Sequence, residues 1–553
     1  MRGVSAQLVS DYLGAAFAPI RHRVHIFAGR ADKLSPMSTQ LRPQTPGISL
    51  AAALAGVPTV ETPQDVADIQ VNGVSVDSTD IDAGWIFVAI PGEKYHGVRF
   101  AADAIDNGAA VVLTDATGAP TAKSLGAPTV VVDNPRAQAP LIARNLYGPS
   151  FIPQMPLVGV TGTNGKTTTT YLIRSALEPK FSPVGLMGTV EIAVSPQPFS
   201  VGRTTAEAPV VYRALAAAAQ NGYHAAVIEA SSHAVSLDRI AGLYFTSVVF
   251  TNLQHDHLDF YGSWENYFEA KAALFSPQMA RQGVVCVDDE WGRRLAREAQ
   301  IPVATVSALE ATPPDIPLTN HWTVSDIQQE TERWGISFTL TASGGDEHRV
   351  YCPIAGLFNV QNAACAVISA AQTGVPLPQA IEGLARCPGV PGRMETVPAR
   401  ARSAPRVIVD YAHTPEAMEL LLRSVAGAVA GKTILVFGTD GDRDATKREG
   451  LAEIAARGAD ILWVTDENPR FEDPQQIRDQ LLRGIKRIRP TLDDTIEVKT
   501  SRTDAVRRAI QSAQPGDLVL ITGKGAEPYQ EIQGVMHSFT DRRVAAETLA
   551  AMK

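Results

Sequence analysis

Leu157–Tyr171 reads L-V-G-V-T-G-T-N-G-K-T-T-T-T-Y. The apolar run Leu157–Val160 predicts a buried parallel strand, and Gly162 and Gly165 supply a tight turn whose N–H groups face an anion. Lys166 adds a point charge for terminal phosphates. Thr167 opens the following helix, within reach of a divalent cation, and the amino end of that helix favours the anion too. The spacing departs from the general phosphate-loop consensus, because G-T-N-G-K-T stands where four free positions would precede G-K. A bare G-K-T is weak; strand, two-glycine turn and helix in succession point to ATP or GTP held by Gly162, Thr163, Asn164, Gly165, Lys166, Thr167 and Thr168.

Working outward, further apolar runs end in polar clusters. Ala225–Ile228 leads into Glu229-Ala-Ser231-Ser-His233, and Ser247–Phe250 leads into Thr251-Asn-Leu-Gln-His-Asp256-His257-Leu-Asp259. In a parallel sheet such clusters gather at the carboxyl edge, beside the phosphate loop. Glu229 and His257 are then placed to share one divalent ion with Thr167. Asp256 and Asp259 serve equally well as helix caps. Val284–Val287 reads as another strand. Trp322–Ile327, Gly335–Leu340 and Arg349–Cys352 read as antiparallel strands covering this domain, which a helix over Val360–Ala371 closes.

A chain of 553 residues needs three or four cores. Upstream, Val74–Val76, Trp85–Ile90, Ala109–Leu113 and Val130–Val132 read as strands of a small α/β domain, with a helix at Phe100–Gly108 and a linker at Pro149–Pro156. Downstream, Arg406–Val409, Thr433–Phe437, Ile461–Val464 and Leu518–Ile521 alternate with helical segments, as in a doubly wound sheet. The expected division is an extension plus domain edge at 1–65, a first domain at 66–152, a central domain at 153–402 and a terminal domain at 403–553.

The strand ends of the last domain carry charges of both signs. Arg443 and Arg470 have the fork that grips a carboxylate, and Asp466 or Glu527 could take an ammonium group. Surface ion pairing is the plainer use of the same residues. Opposite charges together suit an amino acid ligand, which favours ATP-driven joining over nucleotide switching.

Composition excludes other classes. The net charge is -9 and no basic stripe tracks a nucleic acid; Arg21-His22-Arg23 reads as solvated surface. Met1–Ala18 has the pattern of a short amphipathic helix without the features of a signal peptide, and no apolar run is long enough for membrane insertion, so a cytoplasmic protein is expected. The four cysteines, Cys286, Cys352, Cys365 and Cys387, lack CxxC spacing, which speaks for a reducing compartment and against a cysteine-built metal site.

From Val71 to the end the chain resembles the ATP-dependent Mur ligases of peptidoglycan synthesis, most closely their MurE branch. The resemblance rests on Thr161–Thr168, Thr204-Thr205, Glu229–His233, Thr251–Asp259, Phe358–Asn362, Gly392–Glu395, Asp410–Pro415, Asp442-Arg443-Asp444, Asn468-Pro469-Arg470 and Gly523-Lys524-Gly525. It implies a three-domain α/β architecture: a domain for the UDP end, a central P-loop ATPase domain and a doubly wound carboxyl-terminal domain for the incoming amino acid. It implies ATP and Mg2+, a UDP-N-acetylmuramoyl dipeptide and a diamino acid. By position Ser75, Asp77 and Ser78 fall at the uridine nucleotide, and Thr204, Thr205, Ser231 and Arg239 at the muramoyl dipeptide. Asn362, Arg393 and Asp410 fall around adenine, phosphate and ribose. Lys271 matches a lysine the family carbamylates, which would join Thr167, Glu229 and His257 at the metal; a carbamate supplies the anionic oxygen Mg2+ prefers. Lys166, Glu229, His257 and Lys271 are the implied catalytic set, and Arg443, Asn468, Arg470, Gly523 and Glu527 the amino-acid site.

Asn468-Pro469-Arg470 is similar to the signature of members that add meso-diaminopimelate by way of an acyl phosphate. The chain departs from the family pattern in four places: Leu237 for glutamine, Thr439-Asp440 for a small pair such as Cys-Gly, Glu449 for proline and Ala526 for histidine. The alternatives are a ligase for L-lysine, L-ornithine or another amine, or a regulatory protein that keeps nucleotide binding without turnover.

Overall fold

The computed structural model describes residues 41–92, 94–152, 154–200, 202–309, 318–330, 333–399, 404–426 and 430–552. The expected helix at Met1–Ala18 and the cluster Arg21–Arg23 lie outside them.

The first domain is a four-stranded parallel sheet in the order Gly73–Ser75, Trp85–Val88, Ala109–Thr114, Thr129–Val131. Residues upstream of the expected boundary belong to it, because Ile48–Ser49 pairs antiparallel with Gln70–Val71. The helix Pro135–Tyr147 packs against the helix Ala208–Gln220 of the central domain. Between the two domains Arg213 meets Asp80, and the Arg42 and Arg213 guanidinium carbons lie 4.2 and 4.9 Å from the Trp85 ring centre.

Ten strands make the central sheet. Leu157–Thr161 lies near its middle, hydrogen-bonded in parallel to Ala225–Glu229 on one side and Ser247–Phe250 on the other. All five residues of that strand are buried, and each buried valine stabilises the fold by about 1.5–3 kcal/mol. Parallel pairing with both faces covered is what a strand without exposed polar positions allows. His321–Glu330, Gly335–Ala342 and Glu347–Cys352 do not cover the domain as expected. They extend the same sheet at one edge, the first of them running parallel to Val303–Ser307 and the other two folding back antiparallel.

The terminal sheet has six strands in the order Glu395–Val397, Arg406–Val409, Leu518–Ile521, Thr433–Phe437, Ile461–Val464, Thr495–Glu497. Its first strand pairs antiparallel with the second, so Glu395–Val397, upstream of the expected division, belongs to this sheet. A further hairpin, Tyr529–Ile532 with Val535–Ser538, stands beside it. One hydrophobic cluster runs from Val158 and Val360 in the central domain to Leu421 and Leu435 in the terminal one. Across the same junction the Arg406 guanidinium carbon lies 4.2 Å from the Trp334 ring centre.

Candidate functional site

The phosphate loop forms because its glycines do what side chains cannot. Gly162 has φ +144, and a Cβ there would stand 1.9 Å from Thr251 Oγ1; Gly165, at φ +86, caps the helix Lys166–Phe181. Residues of the next strand end brace the turn from below. Thr163 N–H donates to Asn252 O at 2.9 Å, Asn164 N–H to Asn252 Oδ1 at 2.9 Å, and Thr251 Oγ1 to Asn164 O at 2.6 Å. Asn362 lies behind the loop, accepting from Thr169 Oγ1 at 3.1 Å and donating to Asn359 Oδ1 at 3.0 Å. Thr168 is buried under the same turn.

Glu229 ends its strand with no exposed surface. Its Oε2 accepts from Thr167 Oγ1 and Thr189 Oγ1, each at 3.1 Å, and its Oε1 accepts from Thr189 N–H at 2.9 Å. Burial pushes this carboxyl up from the ordinary range, while Lys166 pulls it down. Lys166 is partly buried, and burial lowers its amine. It turns back on its own loop, donating to Gly162 O at 3.0 Å and Thr163 O at 2.8 Å.

Lys271 is not the surface lysine its helix would ordinarily carry: it is 1 % exposed. Its Nζ donates to Gly162 O at 3.1 Å and sits 4.4 Å from the centre of the Tyr267 ring. Burial first, then the Lys166 charge, hold the amine well below the ordinary lysine value. An uncharged amine is the form that adds carbon dioxide, so the site favours the chemistry of a carbamate. His257, in the left-handed backbone region at φ 53, packs edge-on to His233 with ring centres 4.7 Å apart. Burial lowers both imidazoles, leaving them neutral and able to offer a lone pair. Among the described residues no three His, Cys, Asp or Glu side chains converge as a metal cluster. Glu229 is bonded to Thr167, while His257 and Lys271 line the cavity beside Lys166.

Above the loop opens a cavity of about 600 Å³. Lys166, Arg203, Arg239 and Arg443 supply cations to its wall beside the Lys271 amine, and no carboxylate lines it among the described residues. Thr204, Thr205, Ser231 and His257 also face it. Thr205 Oγ1 donates to Glu229 O at 2.6 Å and meets Ser231 Oγ at 3.1 Å, while Arg239 donates to Thr205 O at 3.2 Å. Arg443 is exposed on the terminal domain and reaches the same space.

Ser75, Asp77 and Ser78 are not in this wall; they form the turn after the first strand of the first domain. Ser75 Oγ accepts from Asp77 N–H at 3.1 Å, and Asp77 Oδ1 from Thr79 N–H at 2.9 Å. Arg393 and Asp410 meet where the central and terminal domains join. Asp410 accepts from Met394 N–H at 2.7 Å, and the Arg393 guanidinium carbon is 4.2 Å from the Tyr411 ring centre.

The terminal strand ends form a second polar group. Asn468 donates to Asp440 Oδ1 at 2.9 Å and Glu527 Oε2 at 3.1 Å, and accepts from Lys524 Nζ at 2.8 Å. Arg470, at φ 52 and 17 % exposed, donates to Asp440 Oδ2 at 3.0 Å. Gly523 leaves room for a carboxylate, since a Cβ there would stand 2.4 Å from Glu467 Oε2. Asp466 does not fit the ammonium role expected of it. It is held by Arg478, a partner supplied by the helix Pro474–Ile488.

Sequence reasoning missed Thr189, which holds Glu229, because the strand before it, Val184–Met187, was not read. Tyr267 was legible as the residue one helical turn before Lys271. Lys524 was visible between its glycines but had no role.

Three family models match the chain in order: "Mur ligase family, catalytic domain" over residues 70–147, "Mur ligase middle domain" over 160–370, and "Mur ligase, glutamate ligase domain" over 392–525. The chain is 39% identical over 498 residues to the UDP-N-acetylmuramoyl-L-alanyl-D-glutamate--2,6-diaminopimelate ligase of Streptomyces coelicolor, covering 90% of this chain and 96% of that one. It is 38% identical over 503 residues to the UDP-N-acetylmuramyl-tripeptide synthetase of Leifsonia xyli subsp. xyli, covering 90% and 95%. A solved structure of a UDP-N-acetylmuramoyl-L-alanyl-D-glutamate--2,6-diaminopimelate ligase superposes with a TM-score of 0.64 at 30% identity, covering 91% of this chain and 99% of that one. With its phosphate loop, its three domains in order and these relatives over nearly its whole length, the chain belongs to the Mur ligase family of ATP-dependent ligases, in the MurE branch.

Proposed function

We propose that this ligase joins meso-diaminopimelate to the D-glutamyl carboxylate of UDP-N-acetylmuramoyl-L-alanyl-D-glutamate through an acyl phosphate, in the cytoplasm, as a step of peptidoglycan precursor synthesis. The observation that carries the reading is the cavity wall, where Lys166, Arg203, Arg239 and Arg443 bring positive charge and no carboxylate stands among the described residues. Such a wall collects phosphates and a reacting carboxylate from opposite sides of one space.

In the first step a carboxylate oxygen attacks the terminal phosphorus of ATP, the bond to the bridging oxygen breaks, and an acyl phosphate and ADP result. Lys166 exchanges its loop carbonyls for phosphoryl oxygens and offsets the charge that gathers there. Thr204, Thr205, Ser231 and Arg239 hold the dipeptide arm. Mg2+, held by Thr167, Glu229, His257 and carbamylated Lys271, would neutralise phosphate charge when bound. In the second step the amine of the incoming amino acid attacks the acyl carbon, phosphate leaves, and an amide remains. Arg443, carried by the terminal domain to the same cavity, places the amino-acid domain over the activated acyl group and keeps water away from it.

The test supplies full-length protein with ATP, Mg2+ and the UDP-linked dipeptide, and offers meso-diaminopimelate, L-lysine and L-ornithine separately. Phosphate release and a tripeptide product with meso-diaminopimelate are expected. Product with L-lysine or L-ornithine but none with meso-diaminopimelate overturns the substrate assignment.

A further inference from the structure

The terminal polar group holds an excess of negative charge. Asp440, Glu467, Glu527 and Glu531 crowd around Arg470 and Lys524, with Arg502 behind Glu467; Arg502 is paired with Asp541, and the other two cations are engaged as well. Lys524 Nζ donates to Glu527 Oε2 at 2.7 Å, while Arg470 lies 3.0 Å from Asp440 Oδ2 and 3.2 Å from Glu531 Oε2. Glu467 is 4 % exposed, and its Oε2 has no hydrogen-bond partner among the described residues although it lies beside the Gly523 backbone. Burial first, then the Asp440 charge, push the Glu467 carboxyl up, as expected where carboxyls crowd without enough cations. A buried acceptor without a donor costs about 1–3 kcal/mol, which a ligand donor would recover.

Asp440 is the residue through which this surplus meets Arg470. It accepts from Arg470 through Oδ2 and from Asn468 through Oδ1, so one carboxylate ties together the two side chains at the end of the neighbouring strand. A ligand that brought only a carboxylate to Arg470 would face Asp440 as a like charge. A ligand that brought an ammonium and a carboxylate on one carbon would satisfy both.

We propose that Asp440, paired with Arg470, is a specificity-determining residue that receives the remote ammonium of the incoming amino acid while Arg470 receives its remote carboxylate. The pair thus selects a zwitterionic far end. The inference rests on the reading of meso-diaminopimelate as the added amino acid and deepens it.

The experiment compares meso-diaminopimelate with 2-aminopimelate, which lacks the remote amino group, in the wild type and in Asp440→Asn. In the wild type the loss of that amino group should cost about tenfold or more in kcat/KM. In Asp440→Asn the KM for meso-diaminopimelate should rise by a similar factor, with kcat and the KM values for ATP and the UDP-dipeptide within about twofold, and the discrimination between the two amino acids should collapse. Asp440→Glu should recover part of it. Equal losses for both amino acids in Asp440→Asn would show that Asp440 only steadies Arg470, and unchanged discrimination would remove it from the site; either result overturns the inference. Failure of the wild type to use meso-diaminopimelate while using L-lysine would instead overturn the proposed function. A thermal melt of each variant separates loss of fold from loss of recognition.

Discussion

Lys166 and Lys271 share one acceptor: both side-chain nitrogens donate to the carbonyl of Gly162, at 3.0 and 3.1 Å. Two ammonium groups on one carbonyl repel, so the buried partner gives up its charge more readily. The consequence is a nucleophilic amine at Lys271. Isotopically labelled carbon dioxide should therefore appear at Lys271 in native mass spectra, be absent from Lys271→Met, and be lost as pH falls, because protonation of the amine removes the form that reacts. Label of equal intensity in the variant would contradict this.

Glu229 accepts three hydrogen bonds from Thr167 and Thr189 without any water-exposed surface. Glu229→Gln keeps the shape and removes the anion that the metal site needs. Turnover should fall about a hundredfold or more, with nucleotide binding by the loop largely kept. Rates at saturating substrates, beside equilibrium binding of ATP, check it; a parallel loss of both would point to collapse of the loop.

Glu467 links stability to pH. Its folded-state pKa is raised above the ordinary 4.5, so the folded chain binds this proton more tightly than the unfolded chain does. The contribution is fully present below 4.5 and is lost as pH rises through the raised value. Glu467→Gln removes the dependence, so the variant should gain stability relative to wild type as pH rises from acid to mildly alkaline. Thermal melts across that range should show the difference in Tm widening with pH; a constant difference would contradict it.

Arg502 and Asp541 form an ion pair with no exposed surface on either side chain, Arg502 Nε and Nη2 each donating at 2.8 Å. Arg502→Ala would strand a buried carboxylate and should destabilise the terminal domain by about 3–5 kcal/mol. Chemical denaturation followed by hydrogen exchange along the helix Arg502–Ser512 reads that domain. A change under about 1 kcal/mol would mean the pair is replaced by water.

The sequence was most legible where backbone pairing follows from a single apolar run. Arg406–Val409, Thr433–Phe437, Ile461–Val464 and Leu518–Ile521 form over the expected residues because each is a short β-branched or aromatic stretch between turn formers. Thr495–Glu497 escaped notice as a half-buried edge strand of three residues. In the site, Lys166 and His257 line one cavity, as strand ends gathered at one sheet edge require, whereas Lys271 joins them from the helix Trp264–Ala272, where only the resemblance pointed to it. Asp466 and Glu467 show what sequence withholds. They are neighbours with similar chemistry, yet Arg478 from the following helix claims the first, and only burial makes the second an unsatisfied acceptor.

In the proposed reaction ATP activates a carboxylate as an acyl phosphate before any amine arrives. Hydroxylamine in place of the amino acid tests this most directly, because it intercepts an activated acyl group. With ATP, Mg2+ and the UDP-linked dipeptide, a dipeptide hydroxamate should accumulate in step with ADP, and omission of the dipeptide should stop both. ADP formation indifferent to the dipeptide, or none at all with active, folded protein, would contradict the account.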